Sequence, residues 1–223
     1  WIFRWNVDFM KQILKIAIPN GMENGVFQLV KVALSSIVAL FGTSQIAANG
    51  VAQSIWSLAA LVGSAMGPVF ITVIGQCMGA KDVDQAKFYF SKLIKWSLVF
   101  SIVWNVLVLA ITPCILQFYN LTYETKHLIF ILVIIHNIAN TVVFPLSGPL
   151  SQGLRATGDV KFTMIVSIAS TVGGRLVLSI ILALKLNLGV IGIALAMCGD
   201  WTIRAIIFYY RYKSNAWTKF EVI

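Results

Sequence analysis

The chain has 223 residues, is 59% hydrophobic and only 11% charged, and carries a formal net charge of +9, with a mean hydropathy of +0.87. A water-soluble domain carries about 25% charged residues, so this composition excludes a soluble globule and makes lipid the solvent. The basic excess lies between apolar runs rather than in a patch with aromatic platforms, which excludes a nucleic-acid surface and assigns it to topology and anionic headgroups.

In chain order, residues 1–12 read as the end of a linker lying in the membrane interface as an amphipathic helix. A spanning helix needs about 20 mostly apolar residues, and six segments meet that: 13–40, 51–77, 93–112, 128–152, 162–184 and 189–209. Breakers separate them at Phe41-Gly42, Met78-Gly79, Thr112-Pro113, Thr157-Gly158-Asp159 and Asn187-Leu188-Gly189. Pro19, Pro68 and Pro145 are expected to tilt or break their spans. Residues 210–223 read as a basic tail. The fold class is therefore all-α, a polytopic membrane lobe of six helices over 13–209.

Lys and Arg set the orientation. Twelve of them (Arg4, Lys11, Lys15, Lys81, Lys87, Lys92, Lys95, Arg155, Lys161, Arg211, Lys213 and Lys219) fall on one side, and two (Lys126 and Lys185) on the other. Lys31, Arg175 and Arg204 lie within spans. The bias places the basic side, with both ends of the chain, in the cytoplasm of a cell bearing the protein in its plasma or inner membrane.

Ionisable groups in hydrocarbon are costly unless they face protein or water. On the first span Asn20, Glu23, Asn24, Gln28, Lys31 and Ser35 share an arc of roughly 140°, with Glu23 near mid-depth. This stripe reads either as a cavity lining or as a static network in which Glu23 and Lys31 neutralise each other. Gln53 on the second span, and His136 and Asn140 one turn apart on the fourth, are further cavity candidates. Arg175, Asp200 and Arg204 read as a structural charge cluster, the last two in the favourable i,i+4 order. The three cysteines have no metal or disulfide spacing. No GxSxG, Walker or HExxH pattern is present, so no enzyme is expected and no cofactor is implied.

Taken together, Pro19-Asn-Gly-Met-Glu23, Phe41-Gly-Thr43, Ile46-Ala-Ala-Asn-Gly50, Gly75-Gln-x-Met-Gly-Ala80, Gly153-Leu-Arg-Ala-Thr-Gly-Asp159 and Asp200-Trp-x-x-Arg204 resemble the multidrug and toxin extrusion (MATE) family, in order and over nearly the whole chain. The likeness is to the second six-helix half of that family. It implies a twelve-helix antiporter whose other six-helix lobe precedes this one. Such a protein would export small cationic or amphipathic compounds in exchange for H⁺ or Na⁺, with Glu23 in the position of a coupling or substrate residue. Acids that some members carry on the eighth or tenth helix are replaced here by Gln53 and by His136 with Asn140, which weakens a Na⁺ site in this lobe. The alternatives are a lipid-linked oligosaccharide flippase of the same superfamily and a membrane scaffold or channel subunit that transports nothing.

Overall fold

A computed structural model describes residues 7–220, apart from the side chains at 8, 9, 12, 15 and 16. Six helical columns cross the lobe. The first is α1 (Val7–Ala39). The second is α2 (Thr43–Ala59) followed by α3 (Leu61–Gly79), and the third is α4 (Val83–Gln117). The fourth is divided into α5 (Tyr123–Val142), α6 (Phe144–Ser147) and α7 (Pro149–Ala156). The fifth runs from α8 (Val160–Ala169) through a π-helical stretch, Ser170–Leu176, into α9 (Val177–Ser179) and a second one, Ile180–Lys185. The sixth is α10 (Gly189–Lys213), and a 3₁₀ turn, Ala216–Lys219, follows it. No strand occurs among the described residues.

Five of the six columns contain a helix long and apolar enough to cross a membrane. The first does not meet that composition, although α1 has 33 residues. Its polar residues are the reason. Hydrophobic clusters on both sides of the lobe's middle hold the columns together. One joins Val30, Leu34 and Val38 of α1 to Ala52, Ile55, Leu132 and Val190. The other gathers Phe70, Phe90, Leu150, Leu154, Phe208 and Trp217.

Several boundaries differ from the sequence reading. Residues 7–12 continue into α1, and the rest of the expected linker lies outside the described residues. The second column begins at Thr43, eight residues before the expected 51, because a helix needs only satisfied backbone whereas the span criterion demands apolarity. It then breaks at Ala60, where no Pro or Gly stands. Thr112-Pro113 does not end the third column. Pro113 lies four residues from the end of α4, where it removes one helical hydrogen bond, and the turn falls at 118–122. Pro19 and Pro68 sit inside unbroken helices. The Pro145 region does break, at Val143 and Gly148. At the basic end Arg211 and Lys213 belong to α10, and Trp217 folds back, fully buried, against Phe90 with ring centroids 4.9 Å apart. Residues 221–223 of the expected tail lie outside the described residues.

Close approach of the fifth and sixth columns depends on Gly192. A Cβ there would lie 2.7 Å from both the Ala183 nitrogen and the Leu182 carbonyl carbon, and backbone cannot rotate away. Gly192→Ala is therefore expected to cost about 1–3 kcal/mol. Thermal unfolding of the purified protein should fall by about 3–10 °C. An unchanged midpoint would show that the columns separate freely.

Candidate functional site

The polar residues of α1 do not form one stripe. At about 100° per residue, three faces can be read from exposure. Phe27, Val30, Leu34 and Val38 face the lobe together with Glu23, and Ile18, Met22, Leu29 and Val32 form an apolar face open to lipid, Leu29 being 71% exposed. Between them Asn24, Gln28, Lys31 and Ser35 form a polar face, also exposed. Helix packing explains the division. α1 lies mainly on α8, with less contact to α2 and to the Ser170–Leu176 stretch, which leaves two of its three faces uncovered.

Glu23 points into the lobe and meets Arg155. Arg155 Nη2 donates to Glu23 Oε2 at 2.5 Å, and Nη1 donates to Asn20 Oδ1. The two side chains are 17% and 10% exposed on this lobe. Glu23 and Lys31, the pair read as possible from the sequence, are not joined; Lys31 is exposed, with no acid within salt-bridge distance among the described residues. Arg155 stands in the last turn of α7, so Glu23 lies toward the basic end of the lobe rather than at mid-depth. α7 is fixed there by its other face. Leu150 and Leu154 are fully buried, and a Cβ at Gly153 would lie 2.6 Å from Phe90 and 2.8 Å from Phe70. Only a glycine lets α7 settle onto those rings, and Arg155 then projects toward α1.

A second set of polar groups lies deeper. Asn140 Nδ2 donates to Asn105 Oδ1 of α4 at 3.0 Å. His136, 3% exposed, has neither ring nitrogen hydrogen-bonded, and Asn137 Nδ2 and Asn140 Oδ1 are also unpartnered. Arg175 sits on the first π-helical stretch, where it lies against Met197 sulfur and over the Phe27 ring at 5.2 Å. Asp200, fully buried, accepts from Arg204 Nη2 and from Ser170 Oγ, both at 2.5 Å. Arg204 and Asp200 thus pair as read from the sequence, while Arg175 takes aromatic and sulfur contacts in place of that carboxylate. The interior carries two guanidinium groups and one carboxylate, so it repels a cation more than it attracts one.

Gln53 is half-buried, and its side chain makes no hydrogen bond among the described residues. No hydrogen bond joins it to either group among the described residues. Arg155, Asn20 and Asn105 complete these sites; Asn20 belonged to the stripe read on the first span, whereas Arg155 and Asn105 were not site candidates in the sequence. Arg155 counted toward the basic side and stood within the Gly153–Asp159 motif, and an arginine at the end of a Pro-broken helix could have marked it as a site residue. At the basic end Arg211 Nε donates to Asp159 Oδ2 at 2.8 Å and covers the Phe162 ring, tying α10 to the 157–159 turn.

Five helices long and apolar enough to cross a membrane, packed around a polar interior, make the chain a multi-pass membrane protein. It belongs to the MatE family, whose profile matches residues 19–181. It is 24% identical over 219 residues to the uncharacterized transporter YisQ of Bacillus subtilis, covering 97% of this chain and 47% of that protein. It is 25% identical over 174 residues to the probable multidrug resistance protein NorM of Bacillus cereus, covering 75% and 37%. A crystal structure of a MATE protein in complex with MaL6 superposes with a TM-score of 0.86 at 19% identity, over 96% of this chain and 47% of the other. The chain thus spans about half the length, or less, of the relatives it matches.

Proposed function

We propose that this lobe serves an antiporter that exports cationic or amphipathic drugs or toxins in exchange for a proton, with a second six-helix lobe facing the open polar side of α1. The basic end faces the cytoplasm. The observation that carries the reading is Glu23, a membrane carboxylate paired with Arg155 yet partly exposed on this lobe, and set beside a polar helix face that no described residue covers.

Proton binding at Glu23 removes its charge and frees Arg155. α1 then loses a charged tie to α7, and the uncovered polar face can shift. Reionised, Glu23 is available to a cationic substrate or to Arg155, so proton, drug and guanidinium compete for one carboxylate. Two features favour H⁺ over Na⁺ in this lobe. Glu23, Asp159 and Asp200 are each held by an arginine, and the buried oxygens of Asn105 and Asn140 share their interior with Arg175 and Arg204. In proteoliposomes of the intact transporter, a pH gradient is expected to drive accumulation of a cationic dye, and replacing Na⁺ by choline to change nothing. Accumulation that follows a Na⁺ gradient and ignores pH would defeat this reading.

A further inference from the structure

We propose that a cleft between α3 and α6–α7 binds a small amphipathic molecule with a flat apolar body and an N–H donor, of the arylalkylammonium kind. It would be a contact site for the compounds named in the efflux reading, on which its biological meaning, though not its binding, rests.

The cleft holds about 330 Å³, at the small end of ordinary ligand pockets, ~300–1,000 Å³. Its walls include Ser64, Gly67, Pro68 and Ile71 on α3 and Phe144 and Gln152 opposite. Two interrupted columns meet here, since α3 starts just beyond the break at Ala60 and the fourth column is cut at Val143 and Gly148. The backbone stays hydrogen-bonded across these breaks, with the Ser64 N–H donating to Ala60 O and the Gln152 N–H to Gly148 O, so the free groups of the cleft come from a proline and from side chains.

The freed groups here are acceptors. Pro68 has no N–H, so the Ser64 carbonyl lacks its helical donor. The Ser64 hydroxyl and the Gln152 amide make no side-chain hydrogen bond among the described residues. No charged side chain lines the cleft. Unsatisfied polar groups in hydrocarbon are costly, and three oxygens in a small volume with an aromatic wall suit a donor-bearing cation: the oxygens take the N–H groups and Phe144 offers its ring face. Phe144 is held for this. Its ring covers Gly63, where a Cβ would lie 2.7 Å from Cδ1, and it packs edge-on against Trp201 with centroids 5.4 Å apart. The two walls are in register, since a Cβ at Gly67 would meet Gln152 Cγ at 3.5 Å.

The test is equilibrium binding of 4-bromophenethylamine, and of its N,N,N-trimethyl analogue, which has no N–H, to the intact transporter in nanodiscs. Gln152→Leu removes the amide at similar size. Gly67→Leu fills the cleft from a position where a Cβ meets Gln152 Cγ at an ordinary 3.5 Å. Binding of the amine is expected to weaken at least tenfold in both variants, and the trimethyl analogue to bind wild type at least tenfold more weakly than the amine. Unchanged amine binding in both variants, with unfolding midpoints like wild type, would overturn the site; equal binding of the two compounds would overturn the donor requirement. Loss of binding in the variants without pH-driven dye accumulation by wild type would uphold the cleft and sink the efflux reading alone. Accumulation with binding indifferent to both variants would do the reverse.

Discussion

Glu23→Gln in the intact transporter is expected to return drug resistance to the level of cells lacking it, while the protein reaches the membrane in wild-type amounts. The two halves of that statement have separate causes. A glutamine amide keeps an oxygen for Arg155 Nη2, and Asn20 still accepts from Nη1. The pair is partly exposed, with Glu23 at 17%, so losing its charge should cost about 1–2 kcal/mol, between the values for exposed and buried pairs. What the amide cannot do is take and release a proton, and the tie between α1 and α7 then no longer answers to pH. Resistance assays with immunodetection of the membrane fraction read both parts. Wild-type resistance in this variant would remove Glu23 from coupling.

Asp200→Asn should act on folding instead. Asp200 is fully buried, paired with Arg204 and accepting from Ser170, and it is the carboxylate of an interior that also holds Arg175. Its neutralisation leaves two guanidinium groups without a counter-charge. Breaking such a buried pair costs about 3–5 kcal/mol, which for a chain of this length lowers the unfolding midpoint by about 6–20 °C. Detergent-solubilised protein measured by thermal unfolding and size-exclusion profile gives the comparison. Asp200→Asn with Arg204→Met should recover much of the loss. A midpoint near wild type in the single variant would mean that the charges are met from elsewhere.

What could be read from the sequence followed physical scale. Column positions come from runs of about 20 mostly apolar residues, and they are legible in one dimension. The Asp200–Arg204 pair is four residues apart on one helix and was equally legible. Glu23 and Arg155 are 132 positions apart. Their meeting depends on how α7 seats against Phe70 and Phe90 through Gly153, which no local pattern reveals. The 140° stripe on α1 was also a true pattern, but it could not show that helix packing divides it, with Glu23 turned inward and Asn24, Gln28, Lys31 and Ser35 left outside. The break at Ala60 has no Pro or Gly to announce it. Conversely Pro19, Pro68 and Pro113 announce breaks that do not occur, because surrounding helices and helix ends absorb a single lost hydrogen bond.

An ion pair such as Glu23–Arg155 could serve only to hold α1 in place, and neutralising both partners separates that role from exchange. With Glu23→Gln and Arg155→Gln together, no charge is left unmatched and the lobe should fold as wild type does. pH-driven dye accumulation by the reconstituted double variant is then the deciding quantity: it should be absent despite normal protein levels and unfolding midpoint. Accumulation at the wild-type rate would mean that the pair is a fastening and that exchange is carried by other groups.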